Sequence, residues 1–196
     1  MIYSGVMELS PTAYVILGML RHGGRSGYEI KQAVDRSTRF FWAASYGQIY
    51  PELRKLAKAG LVEGEARPQG GRKRTVYRLT SAGRRALRDW LAVEPELLEL
   101  RDEGLLKLFF ADAADPGRAV EILDAKRRLH ERKLGLLREV EPVASGRVEV
   151  DPYPYLVLRY GLEFNQWIVD WCERAKAELD AAGEAAETPR RKSDAR

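Results

Sequence analysis

A chain of 196 residues, 45% hydrophobic and 32% charged, has material for one large or two small cores. Its one cysteine, Cys172, excludes an intramolecular disulfide and a multi-cysteine metal site, and points to a cytoplasmic protein. The net charge of +4 hides an asymmetry: residues 1–90 hold 16 Lys and Arg against 7 Asp and Glu, and residues 91–196 hold 17 against 22. A +9 half joined to a −5 half suggests that the first meets a polyanion and the second does something else. There is no run of about 18 apolar residues and no secretory start, so no membrane span is expected. Met7 competes with Met1 as the initiator, because the helix signals begin just after it.

In chain order, Ser10-Pro11 reads as a helix start, with Ser at the cap and Pro at the first helical position. Ala13, Ile16, Leu17 and Leu20 form the apolar stripe, and Gly23-Gly24 ends it. Ser26-Gly-Tyr-Glu29 fits a capping box opening a second helix, with Ile30 and Val34 inward. Residues 38–44, TRFFWAA, form an aromatic connector. Ser45-Tyr-Gly-Gln48 is a second capping box, opening a third helix whose buried face is Ile49, Leu53 and Leu56 and which stops before Gly60. Pro51 removes one hydrogen bond from its second turn. LVEGEAR and TVYRL then read as two strands joined by PQGGRK, and Thr80 or Ser81 caps a fourth helix through Leu91.

Glu94-Pro95 marks a boundary. Three further helical patterns follow, over 97–111, 116–141 and 152–181, the last two separated by the linker PVASGRVEVDPYP. Ile122, Leu129 and Leu136 recur every seven residues, as do Leu123, His130 and Leu137, a register suited to packing against a partner helix. The reading divides the chain into residues 7–91, 95–181 and a disordered tail, 182–196.

Three short helices followed by a hairpin make a winged helix-turn-helix, so the fold class is mainly α: a winged domain and then a helical domain. In that geometry the third helix enters the major groove of double-stranded DNA and the hairpin tip lies along the backbone or in the minor groove. Arg72, Lys73 and Arg74 at the tip repel one another unless an anion meets them, which phosphates would do. The third helix offers Tyr46 and Gln48 nearest the bases, with Gln able to pair bidentately with adenine, and Tyr50 and Lys55 on the backbone. A solvated helix face explains Arg54 equally well, and surface decoration explains Tyr28 and Lys31, which could also touch phosphate.

The runs LSPTAYVILGML, SGYEI, YGQIYPELRKLAKAGLVEGE and RKRTVYRLTSAGRRAL resemble the PadR family of bacterial transcriptional regulators. ELRDEGLLKLFFAD and YLVLRYGLEFNQWIVDW are similar to its longer-tailed members, so the likeness covers nearly residues 7–180. The resemblance implies a homodimer, often a repressor, on an inverted-repeat operator, with the carboxy-terminal helices making the dimer. It carries over Tyr46, Gln48, Tyr50 and the wing basics as DNA contacts.

Some members of that family bind phenolic acids. Phe41 and Trp42 in the connector and Tyr155, Arg159 and Trp167 in the last helix are the candidates for an effector site here. The spacing of Phe164, Trp167 and Trp171 fits a core or dimer seam better, and with Leu123, Leu129 and Leu136 they are the candidate dimerisation residues. No HExxH, GxSxG or phosphate-loop pattern appears, so neither an enzyme, a metal nor a cofactor is expected. Two rivals remain: a winged-helix protein of the MarR type, and a protein–protein adaptor that uses the winged fold without an operator.

Overall fold

The computed structural model describes residues 9–69, 72–95, 101–115 and 117–187, and the chain forms two compact units that divide between residues 97 and 98. The described part is mainly helical with one small antiparallel sheet, the fold class the sequence indicates.

In the first unit, α1 (Pro11–Met19), β1 (Arg25–Ser26), α2 (Gly27–Asp35), a single 3-10 turn (Thr38–Phe40), α3 (Tyr46–Lys58), β2 (Val62–Gln69), β3 (Arg72–Leu79) and α4 (Ser81–Leu91) follow in order. Each helix starts where a side chain supplies the missing acceptor. Ser10 Oγ accepts from the Ala13 N–H at 3.1 Å and donates to Glu52 Oε1 at 2.9 Å, tying the cap of α1 to α3. Past the end of α3, Gly60 takes φ +69°. The Gly60 and Leu61 N–H groups return to the Ala57 and Leu56 carbonyls, which are the two bonds of a Schellman motif. Thr80 accepts from the Gly83 N–H at 3.0 Å and donates to the Gly60 carbonyl at 2.7 Å, so one residue caps α4 and fastens it to that turn.

Ala13, Ile16, Leu17, Ile30, Val34, Ile49 and Leu53 are wholly buried in one core, with Leu56 and Val62 beside them. Apart from Val62 on β2, these are the apolar positions the helical spacing selects. The sheet order is β1-β3-β2, with Val62 opposite Leu79 and Gln69 opposite Arg72. The two-residue β1, Arg25 and Ser26 paired with Tyr77 and Val76, carries no strand signature; it forms on the edge of β3 that β2 leaves open.

The second unit contains α5 (Glu103–Phe109), α6 (Arg118–Ser145) and α7 (Tyr153–Glu187). Their bounds correct the sequence reading. The helix expected over 97–111 starts only after Asp102, whose side chain accepts from the Leu105 N–H at 3.1 Å; residues 96–100 lie outside the described part. Helix α6 runs through Pro142 to Ser145, because a proline in the last turn forfeits one hydrogen bond without cutting the helix short. Helix α7 reaches Glu187, so residues 182–187 of the expected tail are helical, and residues 188–196 lie outside the described part.

Helices α6 and α7 pair along their length. Gly161 lies where a Cβ would stand 3.2 Å from the Leu137 side chain, and Leu123 packs wholly buried with Ile168 and Cys172. His130 Nδ1 and Asn165 Oδ1 are 2.7 Å apart in the seam, and the Asn165 amide donates to the Gly161 carbonyl at 2.6 Å. Lys126 pairs with Asp102, and Lys176 with Asp124 at 2.7 Å, joining neighbouring helices at the rim.

Candidate nucleic-acid interface

The site is built on the amino-terminal ends of α2 and α3, each closed by a capping box. On α2, the Glu29 N–H donates to Ser26 Oγ at 3.3 Å while Glu29 Oε2 accepts from the Ser26 N–H at 2.8 Å. On α3, the Gln48 N–H donates to Ser45 Oγ at 3.3 Å and Gln48 Oε1 accepts from the Ser45 N–H at 2.9 Å. Both helices therefore have sharply defined first turns, and the residues just inside them are held at fixed positions.

Three tyrosines make a ladder across these turns. Tyr28 and Tyr46 stack with centroids 6.4 Å apart, and Tyr46 and Tyr50 at 6.2 Å; each ring is between 41% and 54% exposed. Tyr50 lies close against Gly27, where a Cβ would come within 2.6 Å of the ring, so only glycine admits this approach. The result is a half-open aromatic face on which the Tyr28 hydroxyl accepts from the Gln32 amide at 2.9 Å, with ring surface that suits sugar–phosphate backbone and base edges alike. Lys31 sits 5.4 Å above the Tyr46 ring and pairs with Asp35, its side chain mostly covered. Lys55 pairs with Glu52 at 3.2 Å yet keeps its side chain 73% exposed, and Arg54 is exposed beside it.

Two sequence expectations change here. Gln48 is exposed, but its amide oxygen is engaged in the cap of α3; a bidentate contact to adenine needs that oxygen, so the amide N–H₂ alone is available in this arrangement. Arg74, expected with Arg72 and Lys73 to meet phosphates, pairs with Glu29 on α2, and its side chain is only a third exposed. The Arg74 guanidinium and the Ser26 N–H, opposed by burial, hold the Glu29 carboxyl at about 2, well below the ordinary 4.5. The sequence marks Glu29 as a capping residue only; its second role has no local signal, because Arg74 is far away in the chain. The backbones of Arg72 and Lys73 belong to β3, while their side chains, with Gly70 and Gly71, lie outside the described part.

The candidate effector residues fall in both units, Phe41 and Trp42 in the first and Tyr155, Arg159 and Trp167 on α7 of the second. Phe41 and Trp42 are exposed on the connector of the first unit. On α7, Arg159 pairs with Glu163 at 2.8 Å and Trp167 stacks on Trp171 at 6.5 Å. A cleft of about 320 Å³ in the second unit is lined by Leu106, Lys107, Phe110, Ala111, Ala114, Arg118 and Ile122, and includes none of them. Among the described residues no group of His, Cys, Asp and Glu could hold a metal ion, and no helix is long and apolar enough to cross a membrane.

Residues 16–89 match the transcriptional regulator PadR-like family, and residues 100–180 match the carboxy-terminal domain described as virulence activator alpha. The negative transcriptional regulator PadR of Bacillus subtilis is 32% identical over 177 residues, spanning 85% of this chain and 96% of that protein. The chain belongs to the PadR family. PadR-family proteins are DNA-binding transcriptional regulators, not enzymes, and this chain carries their winged helix. The crystal structure of Bacillus subtilis PadR in complex with operator DNA superposes with a TM-score of 0.79, at 32% identity, covering 85% of this chain and 98% of that one. The same PadR in complex with p-coumaric acid gives 0.75, at 30% identity, covering 88% and 99%.

Proposed function

We propose that the chain is a homodimeric repressor that binds an inverted-repeat operator, reading bases with the first turns of α3 and gripping phosphates with the wing. The observation that carries this reading is the tyrosine ladder, with Gln48 beside it, on a winged head of charge +9. Charge alone would give only non-specific binding; the rigid capped helix ends supply the fixed donors that sequence reading needs. Operator binding by the Bacillus PadR supports it, and that protein's name supports negative regulation.

The dimer is supported by the second unit. Tyr153, Val157, Tyr160, Phe164 and Trp167 recur on α7 at alternating spacings of four and three, and each is 40% exposed or more. On α6, Leu129 and Leu136 are 43% and 44% exposed. A helix that leaves such an apolar stripe exposed calls for another surface, and a second copy supplies one. Leu123 takes no part in that seam, since it is buried against α7 of its own chain, and Trp171 packs partly there too. For an effector, aromatic carboxylic acids are the class to try first, on the strength of the p-coumaric acid complex of the Bacillus protein.

Titration against random duplex and against promoter fragments at several salt concentrations tests the reading. Salt-sensitive binding to both, tighter for one fragment, agrees with it. An adaptor without an operator would hold no fragment more tightly than random duplex.

A further inference from the structure

Glu29, at the third position of α2, serves two elements at once. Its Oε2 accepts from the Ser26 N–H at 2.8 Å and from the Ser26 hydroxyl at 3.0 Å, closing the helix cap, while its Oε1 accepts from the Arg74 guanidinium on β3. The ladder between β1 and β3 spans only the pairs Arg25–Tyr77 and Ser26–Val76. Arg74 stands two residues farther toward the hairpin tip, about 7 Å along the strand. There β3 is hydrogen-bonded to β2 but no longer to β1. The ion pair thus extends the hold on the wing beyond the backbone ladder. The same helix end also fixes the recognition face, because Gly27 lies under Tyr50 and Tyr28 stacks on Tyr46.

We infer that Arg74 is a positioning residue, which sets the direction of the wing relative to α3 through Glu29, and is not a phosphate contact. This deepens the DNA-binding reading and rests on it. The charge already facing Arg74 is a carboxylate held ionised by it, so a phosphate would have to share a guanidinium that Glu29 already neutralises. Two neighbours on the wing, Arg72 and Lys73, remain as the cations proposed to meet DNA.

The test turns on Glu29→Gln. Glutamine keeps the capping box, which accepts Glu or Gln at this position, and removes the charge. Simple electrostatics says that deleting an anion from a basic face tightens DNA binding. A positioning role says the reverse. Glu29→Gln and Arg74→Ala should each weaken binding to a duplex selected from a random pool by roughly tenfold. The slope of affinity against salt should stay unchanged, random duplex should be affected much less, and the double variant should be no weaker than Arg74→Ala alone. Arg74→Lys should restore part of the loss. Tighter binding by Glu29→Gln, or a salt slope lower by about one in Arg74→Ala on both duplexes, overturns the inference.

A second readout needs no DNA. Amide hydrogen exchange in β2 and β3 should quicken in both variants while that of α3 stays as in the wild type; unchanged exchange in the strands overturns the inference. Were the wild type to bind neither duplex, the DNA reading would fall, and the exchange result would still decide whether Arg74 holds the wing.

Discussion

Gln48 accepts the Ser45 backbone N–H at 2.9 Å with the same amide oxygen that a two-bond contact to adenine would require. Structure and recognition therefore share one side chain at the start of α3, with the oxygen turned to the cap and the N–H₂ left for DNA. A single donor distinguishes an acceptor on a base edge from a donor there, and does so less sharply than a bidentate pair. Gln48→Glu should keep the cap and the melting temperature but lose preference among duplexes, because it has no donor. Gln48→Ala should lose the same preference and also about 1 kcal/mol of stability with the cap. Thermal melts combined with competition between duplexes differing at one base pair separate the two effects.

The wing makes a different kind of contact. Replacing Arg72 and Lys73 by alanine should weaken binding to all duplexes alike and lower the salt slope by about one for each phosphate left without its cation. Anisotropy titrations over a range of salt concentrations check this; an unchanged slope would remove both residues from the DNA interface.

His130 gives the second unit a sensitivity to acid. Burial lowers its affinity for a proton, the bond to Asn165 works the other way, and Lys133 and Lys126 add to the lowering against a smaller pull from Asp102. The imidazole is thus neutral in the seam at pH 7 and donates through Nδ1 to Asn165. The unfolded chain binds the proton more readily, so stability is intact above the ordinary value of 6.5 and falls as pH drops below it. His130→Gln, which still offers an N–H to Asn165, should flatten the pH dependence of the melting temperature between about pH 7 and 5.

Dimerisation should depend on the outward stripe of α7. Trp167→Asp removes a ring that is 57% exposed in the single chain and puts a charge in the proposed seam. Loss of that burial alone is worth about 2 kcal/mol per copy, or about 4 for a symmetric pair, roughly a thousandfold in dissociation constant. Sedimentation velocity should show the variant as monomer where the wild type is dimer.

Much of this was legible in the residues. The Ser-x-x-Glu and Ser-x-x-Gln boxes placed α2 and α3, and the helical spacing picked out Ile49, Leu53 and Leu56 as core. Pro51 in α3 did no harm to the cap. What the sequence concealed was the choice between equivalent patterns. On α6 the series Leu123, His130, Leu137 and the series Ile122, Leu129, Leu136 have the same seven-residue period, one position apart. Only the packing of α7 shows that the first faces inward and that Leu129 and Leu136 face out. Arg74 was concealed for another reason: a run of three cations looks alike along its length, and the partner that singles out the third is 45 positions away on α2.

The most direct test of the account is selection of bound duplexes from a random pool by the full chain. The expected result is enrichment of an inverted repeat whose half-sites lie one helical turn, about 10 base pairs, or a multiple of it apart. A pool that stays random after repeated rounds, with no duplex retained even at low salt, would contradict it.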